Sequence, residues 1–133
     1  MNETKHKGNI TELAMAKALL QKGYTVCFPY GENNRYDLVV EIDSKFKKKI
    51  QCKTSRLRNG VLVFQTSGLT IIKGKEKGHY RGEIDYFGVY SPDLNKCYLI
   101  PVDQVGISCC SLILDETKNY GKRKVNYAKS YEI

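Results

Sequence analysis

Three polar residues interrupt two apolar, β-prone runs. Asp37 lies in RYDLVVEI (35–42), and Gln51 and Lys53 lie in KKKIQCKTS (47–55). If the runs form an antiparallel hairpin turning near Ser44, opposed residues have numbers summing to about 88, so Asp37 falls opposite Gln51. Opposed side chains share a face with Cβ atoms roughly 4.5–5.5 Å apart, and Lys53, two residues beyond Gln51, shares that face too. A carboxylate, an amide oxygen and an ammonium then meet on one patch. Metal-assisted phosphodiester hydrolysis requires such a patch. A hard Mg²⁺ ion takes oxygen ligands, and Asp37, the Gln51 side chain and the Cys52 backbone carbonyl can offer them. Lys53 can orient an attacking water or offset charge on the phosphorane. The simpler alternative is a cross-strand Asp37–Lys53 ion pair with Gln51 as a polar neighbour. The apolar surroundings (Leu38, Val39, Val40, Ile50, Cys52) make the polar set hard to place on a bland solvent face, and the surrounding positive charge favours a phosphate partner, so both weigh against that alternative without removing it.

These residues need elements to hold them. The run GNITELAMAKALLQKGY predicts a first helix, capped by Asn9 or Thr11 and ended near Gly23. Ile10, Leu13, Ala14, Ala16 and Leu20 are its expected apolar stripe, with Glu12 at the edge, in line with Met15, Ala16 and Leu19. Strands are expected at 24–30, 35–42, 47–55 and 61–67, and a strand pair at 84–92 and 96–102 turning at Pro92–Asn95. The glycine- and lysine-rich region 68–83 reads as a loop or short irregular helix, and 111–115 as a short strand or helix. One helix followed mostly by strands implies an α+β or mixed-sheet α/β class.

The chain's 133 residues suit one domain with a single core. With 41% apolar and 27% charged residues it is an ordinary globular composition, but a net charge of +8 points to a polyanionic partner. No run approaches the ~20 apolar residues of a membrane span. The opening MNETKHKGNITEL lacks the apolar centre of a signal peptide, so a cytoplasmic location is expected. Five cysteines, with one adjacent pair and no C-x-x-C, form neither a disulfide framework nor a zinc site, and buried reduced thiols are expected.

An acid on a first helix, Asp on a strand and (D/E/Q)-x-K on the next resembles the PD-(D/E)XK nuclease pattern, here Glu12, Asp37 and Gln51-Cys52-Lys53. More narrowly, GNITELAMAKALLQKGYTVCFPYGENNRYDLVVE, IQCKTSR, IDYFGVYSPDLNKCYLIPV and the ending VNYAKSYEI resemble the group I intron homing endonucleases of this superfamily. The resemblance implies a single domain over 1–133 with a restriction-endonuclease-like mixed central β-sheet flanked by helices. It implies Mg²⁺-dependent hydrolysis of double-stranded DNA to 5′-phosphate and 3′-hydroxyl ends, with Mn²⁺ able to substitute. Asp37 and Gln51 would be metal ligands, Lys53 the catalytic lysine, and Glu12 would complete the metal site or orient a water. Two positions depart from the pattern: Tyr36 stands in place of proline and Gln51 in place of an acid. A neutral ligand attracts a metal less, which puts more weight on Glu12. A homo-oligomer, dimer or tetramer, is implied because one small domain covers little DNA. The alternatives are a Holliday-junction-resolvase-like nuclease, selective for DNA structure, and a DNA-binding module with lost catalysis.

From Lys45 to Arg58 there are seven Lys or Arg and no acid. The residues assigned to DNA contact are Arg35, Lys45, Lys47, Lys48, Arg56, Arg58, Lys73, Lys75 and Arg81. A further basic cluster is Lys118, Lys122, Arg123, Lys124 and Lys129. Most of the ten tyrosines suit core positions, with Tyr30 and Tyr80 as candidates for stacking or phosphate contact. Asp85 suits either a supporting acid or a strand-end cap.

Overall fold

The computed structural model describes residues 2–31, 34–72, 75–121 and 123–133, with the backbone alone at 69–72 and 75–77. Helix α1 (Glu3–Gln21) is followed by β1 (Thr25–Cys27), β2 (Leu38–Asp43), β3 (Phe46–Thr54), β4 (Arg56–Arg58) and β5 (Val61–Gln65). Then come β6 (Ser67–Ile72), β7 (Lys75–His79), β8 (Tyr86–Ser91), β9 (Lys96–Pro101), β10 (Cys109–Ile113) and β11 (Asn126–Tyr127). The central sheet is five-stranded, ordered β1-β2-β3-β8-β9. It is mixed: β3 and β8 run parallel and the other neighbours antiparallel. A second sheet is ordered β11-β10-β5-β4, and β6 pairs only with β7. The expected mixed-sheet α+β class is therefore the observed one.

Pleat alternation sends the central strands' side chains into two cores. Leu38, Val40, Ile50 and Cys52 pack with Met15 and Leu19 of α1 on one face. Phe87, Val89, Tyr98 and Ile100 pack on the other face against Leu62, Phe64 and Leu112 of the second sheet. Where flanking helices were expected on the sheet, α1 covers one face and strands cover the other. Gly88 faces α1 at their closest approach, where a Cβ would lie 2.8 Å from both Ile50 Cγ2 and Met15 Cε. Gly88→Ala is expected to destabilise the protein by ~1–3 kcal/mol through overpacking, read as a lower urea midpoint at unchanged slope.

Several expectations are corrected. α1 begins at Glu3 under an Asn2 cap, whose side chain accepts from the Lys5 N–H, so neither Asn9 nor Thr11 is the cap. Its buried face is Thr11, Met15, Ala16 and Leu19, whereas Ile10, Leu13 and Leu20 are exposed. The 68–83 region holds the β6–β7 hairpin in place of a loop or short helix, while of the two readings of 111–115 the strand is the observed one, with 111–113 lying within β10. Tyr80 is a core residue, edge-on to Phe87 at 5.6 Å between centroids. All five cysteines are free; Cys52, Cys97 and Cys110 are buried, but Cys27 and Cys109 are exposed. Among the described residues no helix is long and apolar enough to cross a membrane.

Candidate active site

The β2–β3 hairpin turns through Ser44 and pairs Leu38 with Ile50 and Val39 with Lys49, which is the expected register. The regular pairing stops at Leu38, where β2 begins. Here the Asp37 N–H still donates to the Ile50 carbonyl at 2.8 Å, and the Asp37 Oδ2 accepts the Cys52 N–H at 2.8 Å. The carboxylate thus takes over a backbone donor of β3 at the point where β2 starts, which fixes its position. Gln51 and Lys53 alternate with the buried Ile50 and Cys52, so they project from the face opposite α1. Among the described residues the half-buried Gln51 amide has no hydrogen-bond partner.

Glu12 comes from α1. Its carboxyl lines the same cleft as that of Asp37, and its pKa is raised to about 7, first by burial and then by the Asp37 charge. Burial also raises Asp37, against the opposing pull of the Cys52 N–H, Glu12 and the Lys53 ammonium. Burial is the first cause of both shifts, and the neighbouring Asp37 carboxylate adds to that of Glu12. Thr11, 1% exposed, is hydrogen-bonded through its hydroxyl to that of Thr54 at 2.6 Å. That bond joins the residue before Glu12 to the residue after Lys53, tying helix and strand together beside the carboxylates.

Burial lowers the Lys53 pKa, and nearby Arg35 lowers it further while Asp37 opposes. Its ammonium donates to the Ser67 carbonyl at 3.4 Å and lies 5.0 Å from the Tyr80 ring centre. Lys53 also lines a shallow cleft with Arg56, Phe64 and Gln65. Another cleft on the Asp37 side is lined by Glu12, Phe28, Pro29, Gly31, Asn34, Tyr36 and Asp37.

The structure distributes the expected DNA contacts unevenly. Lys45, Lys47, Arg56 and Arg58 are exposed, with Lys47 3.7 Å from Glu41. Lys48 alternates with Lys47 and Lys49, so it projects to the α1 face, away from Gln51 and Lys53. Arg35 is 6% exposed and is a structural residue. Its guanidinium donates to the carbonyls of His79 (2.6 Å) and Gly68 (3.3 Å), pairs with Glu83 at 2.7 Å and stacks 4.0 Å over Tyr80. It pins the base of the β6–β7 hairpin beside Lys53, a role that no local sequence signal marks. Arg81 is exposed but bonded to the Val105 carbonyl at 2.7 Å, in a cleft sharing no residue with the Glu12–Asp37 cleft. Lys73 and Lys122 lie outside the described residues, as does the Lys75 side chain. The Asp85 N–H donates to the Lys49 carbonyl at 2.9 Å and its Oδ2 accepts the Lys49 N–H at 2.8 Å, so it clamps β3 to the start of β8.

The mixed sheet carries Asp37 just before β2 and Gln51-Cys52-Lys53 on β3, with Glu12 on the neighbouring helix. The family comparison is specific: the PD-(D/E)XK endonuclease model matches residues 2–133, and the chain belongs to that family. Among solved structures it is similar to a bacterial homing endonuclease, I-Ssp6803I, with a TM-score of 0.74 and 26% identity over 97% of this chain and 88% of that one. No curated protein matches it by sequence.

Proposed function

We propose that the protein is a divalent-metal-dependent endonuclease that hydrolyses double-stranded DNA to 5′-phosphate and 3′-hydroxyl ends, acting as a homo-oligomer at a centre made of Glu12, Asp37, Gln51 and Lys53. The observation that carries this reading is that Glu12 and Asp37 line one cleft, where burial and the Asp37 charge raise the Glu12 pKa while the Lys53 ammonium acts on Asp37. The donor set fits a hard cation. Two carboxyls forced together resist ionising, and a dication offsets that cost. Among the described residues no three His, Cys, Asp or Glu side chains gather, so further protein ligands would be neutral oxygens, with phosphate and water completing the shell. Gln51 Oε1 and the Cys52 carbonyl, with Glu12 and Asp37, would hold the ion. When bound, Mg²⁺ or Mn²⁺ would supply Lewis acidity to the phosphate and acidify a water.

The chain's own residues do the rest. Lys53, whose ammonium donates to the Ser67 carbonyl and acts electrostatically on Asp37, would orient the attacking water or offset charge on the phosphorane. Water oxygen bonds to phosphorus, the bond to the 3′ oxygen breaks, and that oxygen leaves as the 3′-hydroxyl after taking a proton. Arg56, beside Lys53 in its cleft, and Arg58 on the same strand supply phosphate contacts, with Lys45 and Lys47 further along the hairpin. Binding is expected to weaken about tenfold or more for each few-fold rise in salt.

The pH dependence follows from Glu12. Burial raises its folded-state pKa to about 7, so the folded protein holds a proton that the unfolded chain releases near the ordinary value of 4.5. Metal-free stability therefore falls as pH rises between those values and levels off above about 7. A cation needs the ionised pair, so its stabilising effect must grow over the same range. Thermal melts with and without Mn²⁺ are expected to show a small shift near about pH 5.5 and a full one near about pH 8. A shift independent of pH would contradict this account of Glu12.

The function is tested by offering the purified protein a plasmid library, linear duplexes and four-way junctions with Mg²⁺ or Mn²⁺. Cutting of duplex DNA that stops with EDTA is expected. Cutting confined to the junction would instead make it a resolvase, and binding without any cutting would leave a DNA-binding module.

A further inference from the structure

Residues 23–31, GYTVCFPYG, carry no charge in a chain that is 27% charged. They form β1, an edge strand of the central sheet, and the segment after it. Edge strands are usually protected by charge, and large exposed apolar groups usually mark a contact surface. Phe28 is 55% exposed and Tyr30 105%, so the Tyr30 ring touches almost nothing in its own chain. Their place matters more than their exposure. β1 runs antiparallel to β2, with Cys27 opposite Val39, so the chain beyond Cys27 heads toward Asp37. Phe28, Pro29 and Gly31 line the same cleft as Glu12 and Asp37, and Tyr30 stands between Pro29 and Gly31. Gly31 has φ +113°, a conformation open to glycine, and turns the chain there.

We propose that Phe28 and Tyr30 form an aromatic platform that stacks on a nucleic-acid base displaced beside the cleaved phosphate. The inference rests on the nuclease reading for the identity of its ligand. A base is the occupant that the surroundings favour over a second copy of the chain. A copy seated on Phe28 would cover the cleft that holds the carboxylates and shut out the phosphodiester. A nucleic acid brings base and phosphate together, with the phosphate at the cleft and the base against its apolar wall. Aromatic side chains hold unstacked bases without reading their identity, and apolar wedges at a base step bend the duplex. Such a bend would let a phosphate reach half-buried carboxylates.

The chain has no tryptophan, so Tyr30→Trp places a single fluorophore on the platform. In EDTA, a mixed-sequence single-stranded oligonucleotide is expected to quench its emission. An abasic oligonucleotide of equal length, which keeps the phosphates but lacks bases, is expected to leave it unquenched. Phe28→Ala/Tyr30→Ala is expected to lower cleavage of matched duplex by about five- to a hundredfold, and less for duplex carrying mismatches, whose bases are already unstacked. Equal quenching by both oligonucleotides would overturn the proposal, as would no quenching. So would emission that follows protein concentration but not DNA, which would assign the surface to a second copy. Base-dependent quenching in a protein that cuts nothing would keep the platform and reject the nuclease.

Discussion

Asp37→Asn is expected to reduce DNA cleavage by about a thousandfold or more while leaving the protein folded. The side chain has two jobs that the substitution separates. As a hydrogen-bond acceptor, Oδ2 takes the Cys52 N–H at 2.8 Å where β2 begins, and the asparagine carbonyl can do the same. As an anion, the carboxylate faces Glu12, and burial opposes its charge. Removing that charge relieves the repulsion, so the melting temperature should stay level or rise. It also removes the strongest ligand from the proposed metal site. The loss of activity should therefore come with no loss of stability, and Glu12 should titrate nearer its ordinary range. Circular dichroism melts beside initial cleavage rates measure both. Parallel loss of stability and activity would mean that Asp37 is a structural residue.

Lys53→Met has the second largest expected effect, about a hundred- to a thousandfold loss of cleavage rate, the scale seen when one preorganised donor to a developing anion is removed. Methionine retains an unbranched apolar stem beside Tyr80 and Phe64 and lacks only the ammonium. The charge it removes is one that burial already disfavours, so the fold should tolerate the change. DNA affinity should fall only slightly, because Arg56, Arg58 and the hairpin lysines keep most phosphate contacts. The loss should therefore lie in turnover and not in substrate binding. A variant that loses binding but turns over normally once saturated would make Lys53 a phosphate anchor.

The central hairpin was legible because a two-residue period and a turn at Ser44 leave few registers, and the observed pairing of Leu38 with Ile50 is the one they imply. The helix was harder. Apolar residues occur on two of its faces, and Ile10, Leu13 and Leu20 formed a plausible stripe that is exposed. The true face includes Thr11, which a hydropathy pattern scores as polar but which is satisfied by Thr54. The helix start was missed because the first turns, from Glu3 to Gly8, are polar and present no apolar period. The β6–β7 hairpin was missed because glycine and lysine suggest a loop, and a hairpin pairing only with itself leaves little hydrophobic pattern.

At the site, the positions of Asp37, Gln51 and Lys53 followed from local geometry, whereas Glu12 depended on family resemblance. A helix approaches a sheet at an angle that no spacing encodes. Arg35 and Glu83 illustrate the same limit. They lie 48 positions apart in sequence yet pair at 2.7 Å, and nothing near Arg35 distinguishes it from a surface arginine. Tyr30 was legible as a stacking candidate from its place beside a glycine, whereas Phe28 read as an ordinary strand end until the cleft it lines gave it a role.

The most direct test of the central claim is the chemistry of the cut ends. Supercoiled plasmid DNA from a mixed-sequence library is incubated with wild-type protein, Asp37→Asn and Lys53→Met, in Mg²⁺ and in EDTA, and the products are treated with DNA ligase without prior phosphorylation. Wild-type protein in Mg²⁺ is predicted to give ends that religate directly, because water has attacked phosphorus and the 3′ oxygen has left. The EDTA samples are predicted to stay uncut, and both variants to cut at least about a hundredfold more slowly. Cutting that survives EDTA, or that proceeds at the wild-type rate in either variant, or ends that ligase cannot join, would contradict a hydrolytic metal centre at Glu12, Asp37, Gln51 and Lys53.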